Sequence, residues 1–468
     1  MKISNTKSNP VTNGNLVVST DFITGVGTNI KFINDSTVQA RVPLDPADGT
    51  TKDPKGYDYY FHIKIKNKGS KTKNLILEAL RPDTIPEKVN WFPSQAPVIC
   101  SLDRKKWYLL PNVEASEGHR DYRCSIEILP GEKVYIANNT PINPSLISPN
   151  LKLIANKNSN KTSYYEIGKS INGYPISLLQ INEFPQINRD RFLIWAGIHP
   201  SEPDPLAAFW AINWILSNEK EAINIRKSFI FDIVPMINPD GFDIGTSGCN
   251  AKGVNIFWDF RTDDLNESPE STALWNWIKN NTPQIALDLH AYIYQIDKPA
   301  RPYISSITNY SPEKRRAAIA MHRAVIKQCN GEAVIGGIAN SKNMLSSQLP
   351  GTLSLPGYHL NFRDGPEACK KLTISTLISI MNAMKKYQPI KDIENLPSYH
   401  LFNSNLFSKL YEFIAYGFFH KIKQILSKRK KYPLSKNNPI DSIKEWENHI
   451  FNNRSALPLA KVMSEEIN

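Results

Sequence analysis

The chain has few cysteines and no long apolar run, and each absence excludes a class of protein. Its 468 residues include five cysteines, an odd number placed far apart. They show neither the density of a disulfide scaffold nor the CxxC spacing of a metal knuckle. No apolar stretch reaches the ~18 residues of a membrane-spanning helix. The polar N-terminus also lacks the apolar core of a secretion signal, so we expect a cytoplasmic protein.

Composition excludes wholesale disorder and leaves room for an acidic partner. Hydrophobic residues make up 41% of the chain and charged residues 21%, so it can bury a core. Its length predicts two or more domains. Lys and Arg number 56 against 44 Asp and Glu, a formal charge of +12, which allows an acidic substrate. The basic run at residues 421–431 is typical of a solvated helix end, and no nucleic-acid partner is expected.

The first third of the chain has the pattern of an all-β domain. Short apolar stretches with period-two alternation are separated by Gly, Pro, Asn and Asp clusters, which is typical of a sandwich. They cover residues 59–66, 75–80, 121–128 and 133–137. No helical pattern of useful length is found before about residue 200, and Pro141, Pro144 and Pro149 indicate closing turns. We therefore predict an N-terminal β-sandwich over residues 1–160.

The middle of the chain alternates strand and helix patterns. The sequence RFLIWA at residues 191–196 predicts a buried strand, and residues 203–217 predict a helix opened by proline. Further strands are predicted at 228–237 and 285–289, and helices at 271–279 and 369–387. The alternation predicts a mixed, doubly wound α/β sheet over residues 161–388, covered on both faces. A basic helical extension is predicted over residues 389–468.

Two histidines and a glutamate follow predicted strands of this sheet. His199 and Glu202 stand three residues apart in the turn after RFLIWA, and His290 follows the strand that contains Asp288. The carboxyl ends of such strands line the ligand crevice of an α/β sheet, and imidazole and carboxylate are ligands of catalytic zinc. Each motif alone also fits a hydrogen-bonded histidine or a helix-opening glutamate. Residues 238–241 (NPDG) alone indicate a tight turn.

The order of these motifs resembles the M14 zinc carboxypeptidases. The segments HPSEP, PMINPDG, CNAKGVN, SPE and DLHA occur in that order, and the likeness covers roughly residues 55–387. The cytosolic carboxypeptidase branch, which carries a β-sandwich before its catalytic domain, is the most similar. The resemblance implies Zn²⁺ held by His199, Glu202 and His290, with a fourth position left for water. It also implies hydrolysis of a C-terminal peptide or isopeptide bond, often of glutamate from acidic tails.

The sequence departs from the family where the substrate carboxylate is bound. Phe257 and Trp258 stand where the family carries an Asn-Arg pair, and an aromatic pair cannot form the bidentate fork of arginine. Cys249 precedes the NAKG element, shortly before which the family has another arginine. The candidate substrate-binding residues in this sequence are Asn250, Arg261, Tyr358 and Arg363.

The general base of the family is a glutamate on a late strand, and the matching stretch here, residues 352–362, contains no acid. His359 stands in the corresponding place, and a neutral imidazole suits general-base catalysis near pH 7. Asp364 and Glu367 are second candidates. Tyr358 or Tyr292 could donate a proton to the leaving group, although a packed aromatic is the commoner role.

Three functional hypotheses follow. The first is a zinc-dependent hydrolase that cleaves a C-terminal peptide or amide bond of a peptide or protein substrate with metal-activated water. The second is a catalytically impaired, zinc-holding scaffold that binds a peptide or protein. The third is a deacylase or amidase on the same scaffold, with an altered recognition pocket.

Overall fold

The computed structural model describes most of the chain up to Leu289, and beyond it one helix and three short strands. The described residues are 6–45, 60–81, 98–104, 107–110, 113–115, 121–138, 140–185, 188–202, 204–260, 267–289, 303–304, 324, 334–335, 353–354 and 365–384. The predicted basic extension over residues 389–468 lies outside them.

The N-terminal part consists of two β-sheets. Its strands are β1 (Val11–Asn13), β2 (Leu16–Ser19), β3 (Thr28–Asn34), β4 (Thr37–Arg41), β5 (His62–Asn67), β6 (Lys73–Leu80), β7 (Ile99–Ser101), β8 (Tyr108–Leu109), β9 (Val113–Ala115), β10 (Tyr122–Ile128) and β11 (Lys133–Ala137). One sheet has the order β1-β2-β5-β11-β7-β8, and the other β3-β4-β6-β10-β9. All pairs are antiparallel except β4 with β6.

The two sheets share one apolar core. Along β10 buried and exposed residues alternate strictly, as expected of a strand with one face on a core and one in solvent. Ile63 and Ile136 of the first sheet and Leu77 and Cys124 of the second belong to the same buried cluster. The predicted β-sandwich is therefore confirmed, with more strands than the sequence pattern indicated.

A helix that the sequence analysis missed follows the sandwich. A 3₁₀ turn at Pro144–Leu146 leads into α1 (Ile147–Lys157), so the expectation of no helix before about residue 200 is wrong. Pro149 falls in the first turn of α1, where a missing N–H costs nothing because those groups have no intrahelical partner. Leu151 and Ile154 are buried with residues of the following α/β sheet.

The central sheet is mixed, as predicted. Its strands are β12 (Thr162–Lys169), β13 (Pro175–Ile181), β14 (Asp190–Ala196), β15 (Phe229–Val234) and β16 (Ile285–Leu289), in the order β12-β13-β15-β14-β16. β14 is parallel to both β15 and β16, whereas β12, β13 and β15 pair antiparallel. All five residues of β16 are buried, as expected of a parallel strand that is covered on both faces.

Helices cover both faces of this sheet. They are α2 (Pro205–Leu216), α3 (Lys220–Ser228), α4 (Pro239–Ile244) and α5 (Pro269–Asn280), with a 3₁₀ turn at Ile256–Trp258. Helices α1, α2 and α3 share a buried cluster with one face, whereas α5 and the 3₁₀ turn pack against the other. The side chain of Ser268 caps α5 and Pro269 opens it, so the helix predicted over residues 271–279 is present and begins two residues earlier.

The described part after residue 289 is small. The strands β17 (Tyr303–Ile304), β18 (Val334–Ile335) and β19 (Leu353–Ser354) form a separate sheet in the order β18-β17-β19. The long helix α6 (Gly365–Met384) buries Leu377 and Met381 in the same cluster as α2. No helix among the residues described is long and apolar enough to cross a bilayer.

The sandwich contacts the α/β part at residues 243–249, which are the end of α4 and the loop that follows it. The N–H of Thr24 donates to the carbonyl of Asp243 at 3.1 Å, and the N–H of Tyr60 to the hydroxyl of Ser247 at 3.3 Å. The Asp45 carboxylate accepts three N–H groups from residues 247–249. Burial raises the pKa of Asp45 to about 7, and the three donors only partly oppose this.

We predict that Gly245→Ala destabilises this junction. Gly245 ends α4 with φ of +77°, and a Cβ there would lie 1.9 Å from Cγ2 of Val26 in the sandwich. The left-handed backbone alone costs an alanine about 1 to 2 kcal/mol. Chemical denaturation should show that loss or more. Adding Val26→Ala should recover part of it, and a double variant as unstable as the sum of both single variants would contradict the contact.

Candidate metal centre

The HPSE motif lies in the turn between β14 and α2. Gly197 follows β14 in a left-handed conformation (φ +69°), and a Cβ there would lie 2.7 Å from Cα of Met236, so only glycine fits. Its N–H donates to the carboxylate of Asp204 at 2.6 Å. This bond closes residues 197–204 into a compact turn, which brings the side chains of His199 and Glu202 together.

His199 and Glu202 face each other inside the protein. Nδ1 of His199 lies 3.0 Å from Oε1 of Glu202, and both residues are buried. The N–H of Glu202 donates to the carbonyl of His199 at 2.9 Å, so the backbone of the turn fixes the spacing of the two side chains. The convergence that the three-residue spacing predicts is therefore present in the structure.

Asn255 offers a hydrogen-bond acceptor to one ring nitrogen of His199. Oδ1 of Asn255 accepts the N–H of Phe257 at 3.1 Å and lies 3.2 Å from Nε2 of His199. Oδ1 is an acceptor, so the neutral tautomer that carries its proton on Nε2 satisfies this contact and leaves a lone pair on Nδ1. In that tautomer the Nδ1 lone pair and the Glu202 carboxylate face each other, and both are acceptors. A cation bound between them makes the arrangement favourable. The donor set therefore fits a metal ion.

We predict that Asn255→Ala weakens zinc binding by about 10- to 100-fold, the range that loss of a hydrogen-bond partner behind a ligand produces. Alanine removes the acceptor that fixes the imidazole, whereas Asn255→Asp retains both the acceptor and the cap of the 3₁₀ turn. Chelator competition on both variants measures the difference. Equal affinities for the alanine and aspartate variants would show that Asn255 does not orient His199.

A further buried carboxyl group, that of Asp204, interacts electrostatically with Glu202. Burial raises the pKa of Asp204 well above its ordinary value, and the negative charges of Glu202 and Asp288 raise it further. Several buried acids in one place favour a bound cation. Among the residues that the structure describes, no group of three or more His, Cys, Asp or Glu side chains could hold a metal ion.

The third predicted ligand follows the neighbouring strand. β16 ends at Leu289, which lies opposite Ala196 of β14 in the parallel register. The two motifs therefore leave adjacent strands at the same edge of the sheet. His290 itself lies outside the described residues, as do the predicted residues His359, Arg261, Tyr358, Arg363, Asp364 and Tyr292, while the side chain of Glu367 is outside them too.

The aromatic pair that replaces Asn-Arg lies beside the centre. The ring of Phe257 is 5.8 Å from the ring of His199, and Trp258 meets Phe257 edge to face at 4.9 Å, both between centroids. Phe257 is buried and Trp258 partly exposed. An apolar wall therefore stands next to His199 where the family resemblance leads to a carboxylate clamp.

Asn250, a predicted substrate-binding residue, is fully buried in the loop that leads to Asn255. Its Oδ1 accepts the N–H groups of Lys252 and Val254, each at 3.0 Å. Its Nδ2 donates to the carboxylate of Glu270 at 3.1 Å. These contacts give Asn250 a part in the loop's structure, and contact with substrate stays a prediction.

Sequence reasoning missed Asn255 and Asp45. Asn255 sits inside the GVN element, but the pattern alone does not say that its side chain meets His199, 56 positions away. Asp45 lies in a short turn-like stretch, PLDPAD, that shows no sign of a partner about 200 residues later in the chain.

Comparison with known proteins identifies one domain of the chain. Residues 147–328 match the Peptidase_M14 model, described as zinc carboxypeptidase. The chain contains an M14 zinc carboxypeptidase domain. The resemblance stated from the motifs is thereby confirmed, and α1, β12–β16 and the HPSE turn all lie within the matched residues.

Curated relatives of the carboxypeptidase domain match over part of their length. Carboxypeptidase SOL1 of Arabidopsis thaliana is 29% identical over 216 residues, 39% of this chain and 43% of that protein. Cytosolic carboxypeptidase 1 of Homo sapiens is 26% identical over 191 residues, 37% of this chain and 14% of that protein. Cytosolic carboxypeptidase 6 of Caenorhabditis elegans is 30% identical over 127 residues, 25% and 28%. The chain thus spans less than half the length of each.

Solved structures extend the likeness to most of the chain. A metallo-carboxypeptidase from Burkholderia cenocepacia aligns with a TM-score of 0.63 at 18% identity, over 79% of this chain and 99% of that one. A metallo-carboxypeptidase from Pseudomonas aeruginosa aligns with a TM-score of 0.61 at 15% identity, with the same coverage. At such identities the likeness concerns the fold, and it confirms the predicted fold class.

Proposed function

We propose that the chain is a zinc-dependent, metallocarboxypeptidase-like hydrolase that cleaves a C-terminal peptide or amide bond. One observation carries the proposal: Nδ1 of His199 and Oε1 of Glu202 converge to 3.0 Å within a domain that matches zinc carboxypeptidases. Zn²⁺ would be held by His199, Glu202 and His290, a ligand set of catalytic zinc type.

The residues of the chain divide the work of this reaction. Zinc held by these residues would act as a Lewis acid, which polarises a carbonyl and lowers the pKa of water. Asn255, 3.2 Å from Nε2 of His199, would hold the proton on Nε2 and so leave the lone pair of Nδ1 to bind the metal. We assign the general base to His359, which takes a proton from water and passes it to the leaving amine. Tyr358, Arg261, Arg363 and Asn250 are the residues proposed to bind substrate.

We propose peptide or protein substrates and a cytosolic location, as the names of the cytosolic carboxypeptidase relatives suggest. The net charge of +12 favours acidic substrates by long-range attraction. Against this, Phe257 beside His199 provides no charge to pair with a substrate carboxylate, so preference for an acidic terminal residue would have to come from elsewhere in the site.

The proposal is tested by incubating the zinc-loaded full chain with matched peptides that end in a free carboxylate. We expect release of the C-terminal residue, lost on chelation and restored by zinc. Two further arms use the same peptides with an amidated C-terminus and with an acylated lysine side chain. No release from any arm, together with retained peptide binding, would contradict the proposal and indicate a binding module.

The amidase or deacylase is the second candidate, and the aromatic pair favours it. Phe257 and Trp258, beside His199, provide apolar contacts and lack the paired N–H donors of an arginine side chain. A site of this kind gains little from a substrate carboxylate. Metal-dependent cleavage of amidated or acylated peptides, with free-carboxylate peptides left intact, would select this candidate.

A further inference from the structure

A carboxylate from the N-terminal sandwich is buried against the loop behind the metal centre. Asp45 is 2% exposed, and it accepts the N–H groups of Ser247 at 2.9 Å, Gly248 at 2.6 Å and Cys249 at 3.1 Å. Three successive N–H groups converging on one anion form a concave anion site in the backbone. Here the chain itself fills that site, with a residue about 200 positions earlier.

The clamped loop is tied to the HPSE turn on both sides of His199. The hydroxyl of Ser201 donates to the carbonyl of Ser247 at 2.6 Å. The amide of Asn238 donates to the carbonyls of Cys249 at 3.2 Å and Ile198 at 2.9 Å. The residues immediately flanking the two proposed ligands therefore rest on the backbone that Asp45 holds.

The same loop leads directly to Asn255. The N–H of Asn250 donates to the carbonyl of Val254 at 2.9 Å, and Oδ1 of Asn250 accepts the N–H of Val254 at 3.0 Å. These bonds close residues 250–254 into a rigid turn, at the end of which Asn255 meets Nε2 of His199. One end of the loop is thus hydrogen-bonded to Asp45, and the other end contacts the imidazole of His199.

We propose that Asp45 is a positioning residue for the metal centre: it holds residues 247–255 in the place where the carbonyl of Ser247 binds Ser201 and the side chain of Asn255 binds His199, both in the HPSE turn. The N-terminal sandwich then belongs to the working site, because it supplies the anion on which the loop is built. The inference rests on the proposed zinc site for its functional meaning, while the loop contacts stand without it.

The test compares Asp45→Asn with Asp121→Asn in the full chain at pH 8, below the melting temperature of both. Asp121 also accepts a backbone N–H, that of Arg81 at 2.7 Å, but within the sandwich and away from the loop. We expect Asp45→Asn to lower zinc affinity in chelator competition by about 10-fold, as loss of a supporting partner does. Hydrogen exchange should accelerate at residues 245–255 and stay unchanged in β10. Asp121→Asn should change neither the zinc affinity nor the hydrogen exchange of residues 245–255.

Zinc affinity and loop exchange equal to those of Asp121→Asn would overturn the proposal. A general loss of stability is distinguished because it would raise exchange in β10 as well as in the loop. If the parent chain binds no zinc, the proposed function fails. Faster exchange at residues 245–255 in metal-free Asp45→Asn would still support the role of Asp45 in holding the loop, and unchanged exchange would reject it. Should Asp45→Asn not fold, Asp45→Glu, which keeps the charge but displaces it, is measured in its place.

Discussion

Glu202→Gln is expected to abolish zinc binding and every zinc-dependent activity while the fold is retained. Glutamine keeps the shape of the side chain, but its neutral amide oxygen is a much weaker ligand than a carboxylate. The substitution also removes the negative charge opposite Nδ1 of His199, 3.0 Å away. The loss of affinity should exceed the ~100-fold upper range for residues that only support a ligand. Chelator competition and peptide release measure it.

The matched control is Glu219→Gln. Glu219 precedes α3 and accepts the indole N–H of Trp214 at 3.1 Å, so the same chemical change is made away from the HPSE turn. This variant should bind zinc as the parent does. Wild-type zinc affinity in Glu202→Gln would remove Glu202 from the ligand set, and thermal melts of both variants check that the fold is retained.

The strands of the central sheet could be predicted because burial on both faces leaves an uninterrupted apolar run. RFLIWA of β14 and IALDL of β16 both show this pattern. A strand with one face in solvent would instead alternate polar and apolar residues. Helix α1 is not evident from the sequence because Pro149, in its first turn, also fits a turn between elements. A proline in the first turn of a helix is compatible with it, so composition alone could not separate the two readings.

The His199–Glu202 pair could be predicted because both residues lie in one turn, three positions apart. Local spacing decides such a contact. Other contacts come from distant parts of the chain: Asn255 meets His199 from a loop, and Asp45 of the sandwich binds that loop through N–H groups more than 200 positions later. A contact of that kind depends on how two folded units pack, and hydrophobic patterning within either unit carries no information about it.

Glu270 is a buried carboxyl group next to the same loop. It opens α5, and its side chain accepts from Asn250 at 3.1 Å and from the N–H of Ile171 at 3.4 Å. Burial raises the pKa of Glu270 from 4.5 to about 7, and the charge of Asp240 adds to the rise, while the donors oppose it. The folded chain therefore holds a proton that the unfolded chain releases between about pH 4.5 and 7.

Because the folded state binds more protons in that interval, the contribution of Glu270 to stability is complete below about pH 4.5 and is lost as the pH rises through 7. Glu270→Gln removes the titrating group but keeps its shape. We expect the variant to match the parent near pH 5 and to exceed it at pH 8 by up to about 3 kcal/mol. Denaturant unfolding at both pH values measures this, with exposed Glu127→Gln as a correction for removing one charge. A stability difference that is the same at pH 5 and pH 8 would show that Glu270 is already ionised in the folded chain, and that its bonds to Asn250 and Ile171 outweigh its burial.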